Sequence, residues 1–271
     1  MEQDKPIVLF DSGVGGLTIA KEIINQFPQE KIIYFGDTAH LPYGEREQEE
    51  VEEFVLKIID YFVNLGAKMV IIACNTATAA GLELARDNFS LPIIGPIDAG
   101  VEKAIAGTKN KKIGVIATEG TVDSGAYQEA IKQANSEVEV FVQACPKFVP
   151  LVEAGELYSQ QVREIAQDYL APLQEEEVDT LLLGCTHFPY LSKIIKEIMG
   201  QEVTLIYPGQ SIALKAREIL VDKDLMVSSS SGEAKFYVSD LDKLSKKFVK
   251  IGAKFLNFDQ LNFSELDLWE K

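Results

Sequence analysis

The chain has 271 residues, 46% of them apolar, and a formal net charge of −16. That length suits one large or two modest domains with sizeable cores, and the acidic balance argues against nucleic acid as a main partner, because phosphate binding needs clustered Lys and Arg. No apolar run is long enough to span a membrane, and the start, Met1-Glu-Gln-Asp-Lys-Pro6, lacks a basic region followed by an apolar one, so a cytoplasmic protein without membrane or secretory segments is expected.

Pro6 to Phe10 is an apolar run that reads as the first strand. It runs into Asp11-Ser-Gly-Val-Gly-Gly16, and Leu17 to Gln26 reads as helix. Such a glycine turn lets backbone approach a ligand, but its spacing is neither the dinucleotide fingerprint nor a P-loop. A second strand, Lys31 to Phe35, leads through Asp37 to a loop, His40-Leu-Pro-Tyr-Gly44. On these residues alone His40 reads as an exposed or capping loop histidine and Pro42-Tyr43-Gly44 equally as an ordinary turn or a crevice wall. Glu45 to Leu65 has the periodicity of a long amphipathic helix. Met69 to Ala73 is a strand buried on both faces, ending in Cys74-Asn75-Thr76, with helix from Thr78 to about Asn88. A short strand, Pro92 to Gly95, and a crossing at Gly95 to Asp98 lead to a helix over Ala99 to Ala106.

Lys112 to Ala117 opens what reads as a second lobe. Its strand ends in Thr118-Glu-Gly-Thr121, the counterpart of the Asp11 turn, and helix follows from Ser124 to Gln133. Val138 to Val142 is a strand leading to Cys145, which reads as a small buried hydrophobe. Val152-Glu153-Ala154-Gly155 begins a loop-and-helix stretch to about Leu173. Thr180 to Gly184 is again a strand ending in a cysteine, Cys185-Thr186-His187, before a helix from Tyr190 to Met199. Strand Val203 to Ile206 and a return crossing at Tyr207-Pro208-Gly209 precede a helix from Gln210 to Leu220. Ser228 to Gly232 reads as flexible loop, Phe236 to Ser239 as strand and Leu241 to Ile251 as helix. Asn257 to Lys271 reads as a docked helix or a partner surface.

The repeated strand–cysteine–helix unit implies an α/β protein of two similar lobes. Each is expected to be a mostly parallel sheet flanked by helices, with the active site in the cleft between them. The segment after Tyr207 is expected to fold back, which divides the chain into residues 1–97 plus 208–271 and residues 98–207. Both cysteines then sit at the carboxyl edges of parallel sheets, where open α/β folds bind ligands.

Three chemistries compete for two such thiols. Nucleophilic catalysis by Cys185 with His187 leaves Cys74 idle. A zinc site from Cys74, Cys185, His187 and Asp11 lacks a C-x-x-C pair and must bridge two lobes. Two-base proton transfer explains why two alike sites should face each other: one thiolate removes a proton from a carbon, and the opposite thiol delivers one to its other face. A helix start after each cysteine is expected to lower its pKa from the free value of about 8.5. A carboxylate at Asp11 is expected to keep one thiol protonated while the other is ionised. Ser12, Asn75, Thr76, Thr121 and Thr186 offer donors for substrate carboxylates without any Arg.

The motifs Asp11-Ser-Gly-Val-Gly-Gly-Leu-Thr18, Pro42-Tyr-Gly44, Ala73-Cys-Asn-Thr-Ala-Thr78, Gly120-Thr121 and Gly184-Cys-Thr-His-Phe-Pro189 resemble the cofactor-independent aspartate/glutamate racemase family, on its glutamate side. The resemblance spans nearly the whole chain. It implies interconversion of L- and D-glutamate, supplying D-glutamate for peptidoglycan, with neither pyridoxal phosphate nor metal. It implies Cys74 and Cys185 as the acid/base pair and Asp11, Ser12, Tyr43, Gly44, Asn75, Thr76, Thr121, Thr186 and His187 as the substrate-contacting set. Glu153 and Asp37 are candidate assisting carboxylates, and a homodimer is expected. An aspartate racemase of the same group and a two-lobed amino-acid-binding sensor without turnover are the alternatives.

Overall fold

Ten strands form two sheets among the described residues, and every pairing in both is parallel. They are seen in a computed structural model that describes residues 2–228 and 232–269. Residues 229–231 of the expected serine-rich loop and the last two residues of the tail lie outside the described residues. The first sheet runs β10 (Ser264–Glu265), β9 (Glu233–Val238), β2 (Lys31–Gly36), β1 (Ile7–Asp11), β3 (Met69–Ile72), β4 (Ile93–Ile94). The second runs β6 (Glu139–Ala144), β5 (Lys112–Ala117), β7 (Thr180–Gly184), β8 (Thr204–Ile206). The run β2-β1-β3-β4 and the run β6-β5-β7-β8 have the same order, so β3 and β7, the strands before Cys74 and Cys185, occupy equivalent places.

Helices cover both faces, as parallel sheets require. In α1 (Leu17–Gln26) the buried residues Leu17, Ile19, Ala20 and Ile23 face β1 and β3. On the other face α2 (Gln48–Asn64) buries Val51, Phe54, Val55, Ile58, Ile59 and Phe62, a helical stripe. Each fully buried Ile or Phe of that stripe contributes roughly 1.5–3 kcal/mol. Beside it lies α3 (Asn75–Asn88). In the second lobe α4 (Pro96–Gly107) and α6 (Ala126–Ala134) cover one face, and α8 (Gln160–Glu175) and α9 (Ser192–Met199) the other. The chain then returns: α10 (Pro208–Asp222) packs on α1, β9 pairs with β2, and α11 (Lys246–Leu256) also lies on α1. No helix among the described residues is long and apolar enough to cross a membrane.

Some boundaries differ from expectation, each for a local reason. α3 begins at Asn75 rather than Thr78, because Cys74 itself caps it and accepts the Ala77 N–H. α4 starts at Pro96 within the expected crossing, since proline is suited to a first helical turn. The turn at Thr118 to Thr121 is a short helix, α5 (Glu119–Asp123). Phe148–Glu153, expected to precede or open a loop, forms α7. α11 begins at Lys246, not Leu241, where the Ser245 hydroxyl accepts the Phe248 N–H. The tail is not a helix: it adds β10 at the edge of the first sheet.

Candidate functional site

The carboxyl ends of β1, β3, β5, β6 and β7 converge on one cavity of about 200 Å³. From the first lobe Ser12, Tyr43, Gly44, Cys74, Asn75 and Thr76 line it. From the second come Thr118, Glu153, Cys185, Thr186 and His187. Both cysteines therefore face the same space, each nearly buried, from equivalent strands of the two sheets. Cys145, by contrast, is fully buried in the core, its sulfur 3.7 Å from the Gln143 carbonyl oxygen.

Two glycines allow the lobes to meet this closely. A Cβ on Gly15 would lie 2.5 Å from the His187 ring, and one on Gly44 would lie 2.7 Å from Thr118 Cβ. Neither contact is tolerable, so the glycine turns of the first lobe can press on the second only without side chains.

Cys74 stands at the N-terminus of α3, with Ser12 Oγ 3.9 Å from its sulfur. The expected lowering of its pKa does not occur. Burial, reinforced by the nearby Asp11 carboxylate, pushes the Cys74 thiol up to about 12, against the Ala77 N–H. Cys185 is followed not directly by an α-helix but by a 3₁₀ turn, Phe188–Leu191, before α9. Its sulfur lies 3.9 Å from His187 Nδ1, and His187 Nε2 is 2.7 Å from Glu153 Oε1. Burial alone would lower the His187 pKa, but hydrogen bonds to Cys185 and Glu153 outweigh it and lift the imidazole to about 10. His187 is thus an imidazolium at neutral pH, held between a sulfur and a carboxylate.

Asp11 and Thr121 lie behind the cavity wall rather than on it. Asp11 is fully buried, accepting the Gly13 and Gly16 N–H groups at 3.3 and 3.0 Å and the Thr186 hydroxyl at 3.4 Å. Burial raises its pKa, while His187 and these donors act the other way. Thr121 reaches the site through Thr76: the hydroxyls of Thr76, Thr118 and Thr121 form a closed triangle with edges of 3.0 to 3.1 Å. Asp37 does not line the cavity either. It accepts hydrogen bonds from Tyr43 Oη at 2.6 Å and Ser239 Oγ at 2.7 Å, and His40 Nδ1 lies 2.9 Å away. Burial and that carboxylate keep the Tyr43 hydroxyl protonated.

Sequence reasoning missed several residues. Thr118 reads in the sequence only as part of a turn. Tyr127 of α6 donates to Asn75 Oδ1 at 2.7 Å, so the Asn75 side chain has only its amide N–H₂ left to offer a ligand. Pro146, Val149 and Pro150 supply an apolar wall from α7 and its approach. No motif marks these three, and only the fold brings them in. His40 does cap its loop, as expected, through Asp37.

The site therefore offers two sulfurs on opposing lobes, a protonated imidazole and a set of neutral donors. Among those donors are the unpaired N–H groups that open α3 at Asn75 and Thr76. It can bind carboxylates and move protons on two sides of one small molecule.

Comparison with known proteins agrees with this geometry. A family profile described as Asp/Glu/Hydantoin racemase matches residues 17–216. A glutamate racemase of Geobacter metallireducens is 45% identical over 253 residues, covering 93% of this chain and 93% of the relative. The crystal structure of a glutamate racemase isoform from Bacillus anthracis superposes with a TM-score of 0.93 at 36% identity, covering 99% of this chain and 100% of that one. That of the glutamate racemase from Francisella tularensis, solved in complex with D-glutamate, gives 0.91 at 32% identity, with 98% and 99% covered.

Proposed function

The chain belongs to the Asp/Glu/hydantoin racemase family, and from that membership we propose that it is a glutamate racemase using Cys74 and Cys185 as a two-base pair without a cofactor. The observation that carries the mechanism is the placement of the two sulfurs on one cavity, at the ends of β3 and β7. A base on one face of the α-carbon and an acid on the other invert its configuration.

The resting proton on Cys74 follows from its surroundings. Burial and Asp11 hold the Cys74 thiol in its protonated form, so Cys74 is the acid. Cys185, its sulfur 3.9 Å from His187 Nδ1, is the opposing group. It takes the α-proton as Cys74 gives its proton to the opposite face. The next turnover from the product side runs with the roles reversed, the thiolate now at Cys74. His187, backed by Glu153, is the positioning group beside Cys185, and Asp11, hydrogen-bonded to Thr186, favours the thiol form of Cys74.

Removing the α-proton builds negative charge beside a carboxylate. Ser12, Asn75, Thr76, Thr186 and the main chain of Tyr43 and Gly44 supply fixed donors for the substrate carboxylates. In a site shielded from water such dipoles stabilise a developing anion more strongly than solvent does.

We assign residues 1–97 with 208–271 to one lobe and 98–207 to the other, α4 of the second lobe beginning two residues before that boundary; the return of β9 to β2 supports the division. We place the enzyme in the cytoplasm as a source of D-glutamate for peptidoglycan. A homodimer is supported by Leu214 and Val221, which lie on one face of α10 and remain exposed.

The test is polarimetry of L-glutamate with purified, chelator-treated protein and no added cofactor. Rotation is expected to decay to zero, and Cys74→Ala and Cys185→Ala each to slow the decay by at least about a thousandfold. Unchanged rotation with L-glutamate would remove the reading; decay with L-aspartate instead would move the enzyme to aspartate.

A further inference from the structure

Asp37 is fully buried, and its two oxygens face different parts of the chain. Oδ2 accepts the Tyr43 hydroxyl and faces His40, both on the loop that walls the cavity. Oδ1 accepts Ser239 Oγ and, at 2.8 Å, the indole N–H of Trp269 near the end of the tail. The Trp269 ring meets the same loop a second way: it stands edge-on to His40 at 4.4 Å and to Phe54 at 5.3 Å. Phe54 in turn lies against His40 at 4.3 Å and Tyr43 at 5.5 Å. Lys57 Nζ sits 4.7 Å from the centre of the Trp269 ring. The tail is held there by β10, by the Leu266 N–H donating to the Val238 carbonyl, and by buried Leu268.

We propose that Trp269 is a positioning residue for the reaction, acting through Asp37 to fix the wall formed by Tyr43 and Gly44. A buried carboxylate needs its donors, since each lost partner leaves a polar atom unsatisfied. Without the indole N–H, Oδ1 keeps only Ser239, and the carboxylate is free to turn toward a new arrangement. Oδ2 then no longer holds the Tyr43 hydroxyl in place, and the loop that presents main-chain donors to substrate loosens. The inference rests on the reading of Tyr43 and Gly44 as part of the glutamate site.

The experiment uses Trp269→Phe, which keeps an aromatic ring and deletes the N–H. It is expected to raise KM for glutamate about tenfold, the worth of one hydrogen bond to a charged group, with kcat changed less than about twofold. In a Tyr43→Phe background the same substitution is expected to add nothing, because the link it acts through is already cut. An unchanged KM in Trp269→Phe, or equal effects in both backgrounds, overturns the proposal while wild-type racemisation stands. Wild type that leaves glutamate unchanged would instead remove the functional reading, and it shows in the same assay. A readout without turnover covers that case. Trp269 is the only tryptophan, so intrinsic fluorescence reports its surroundings. Tyr43→Phe is expected to shift that emission, and an unchanged spectrum overturns the coupling.

Discussion

His187 Nε2 lies 2.7 Å from Glu153 Oε1, and the opposite ring nitrogen faces the Cys185 sulfur at 3.9 Å. One imidazolium thus joins a carboxylate on α7 to a reacting sulfur at the end of β7. Glu153→Gln keeps the shape and removes the charge. The His187 pKa is expected to fall from about 10, and kcat by about ten- to a hundredfold, the range for a hydrogen bond to a charged group. NMR titration of the imidazole and racemisation rates check the two halves separately.

The same pair sets a pH dependence of stability. The His187 pKa is raised in the folded chain from 6.5 to about 10, so its contribution is complete below about 6.5 and is lost as pH rises toward 10. Cys74, raised from 9.0 to about 12, adds a further loss at still higher pH. The melting temperature is expected to fall steadily from pH 7 to 10, and Glu153→Gln to flatten that slope. A melting temperature constant across that range would contradict the charge state assigned to His187.

Thr121 lies behind the wall and touches the cavity only through its hydrogen bonds with Thr76 and Thr118. Thr121→Val is therefore expected to cost about 1–3 kcal/mol of stability for these two hydrogen bonds. The KM for glutamate should rise by about two- to fivefold, the part of that loss passed on through Thr76. Thermal unfolding and steady-state kinetics measure both. A direct substrate contact at Thr121 would leave stability unchanged and raise KM more.

Far from the cavity, Lys68 Nζ is buried 2.5 Å from Glu30 Oε2 and also donates to the Gln3 and Leu225 carbonyls. Lys68→Ala strands Glu30 without its cation and is expected to destabilise by about 3–5 kcal/mol. Replacing both partners, Lys68→Met with Glu30→Leu, is expected to recover much of that loss. Denaturant melts of the single and double variants give the comparison.

The strand ends that carry Cys74 and Cys185 were legible in the sequence, because a buried apolar run followed by a small polar tip is a local signal. The matching order of the two sheets follows from the same repeat. What was not legible is carried by contacts distant along the chain. Asp37 looked like an assisting carboxylate, and only folding shows its oxygens taken up by Tyr43, Ser239 and Trp269. The tail's polar-apolar pattern suggested a helix or a partner surface, yet pairing with β9 makes it an edge strand. Cys74 was expected to ionise easily at a helix start. The depth of burial, which no local pattern states, reverses that.

The central claim, two sulfurs on opposite faces of one carbon, is tested most directly by where solvent hydrogen goes. Unlabelled L-glutamate is incubated in deuterium oxide and the reaction stopped at low conversion. The two enantiomers are separated and their α-positions examined by mass spectrometry. The account expects deuterium in the D-glutamate formed and α-hydrogen retained in the L-glutamate that remains, because the group that protonates the product is not the one that took the substrate's proton. Deuterium appearing equally in both enantiomers from the start would mean a single base serving both faces, and would contradict it.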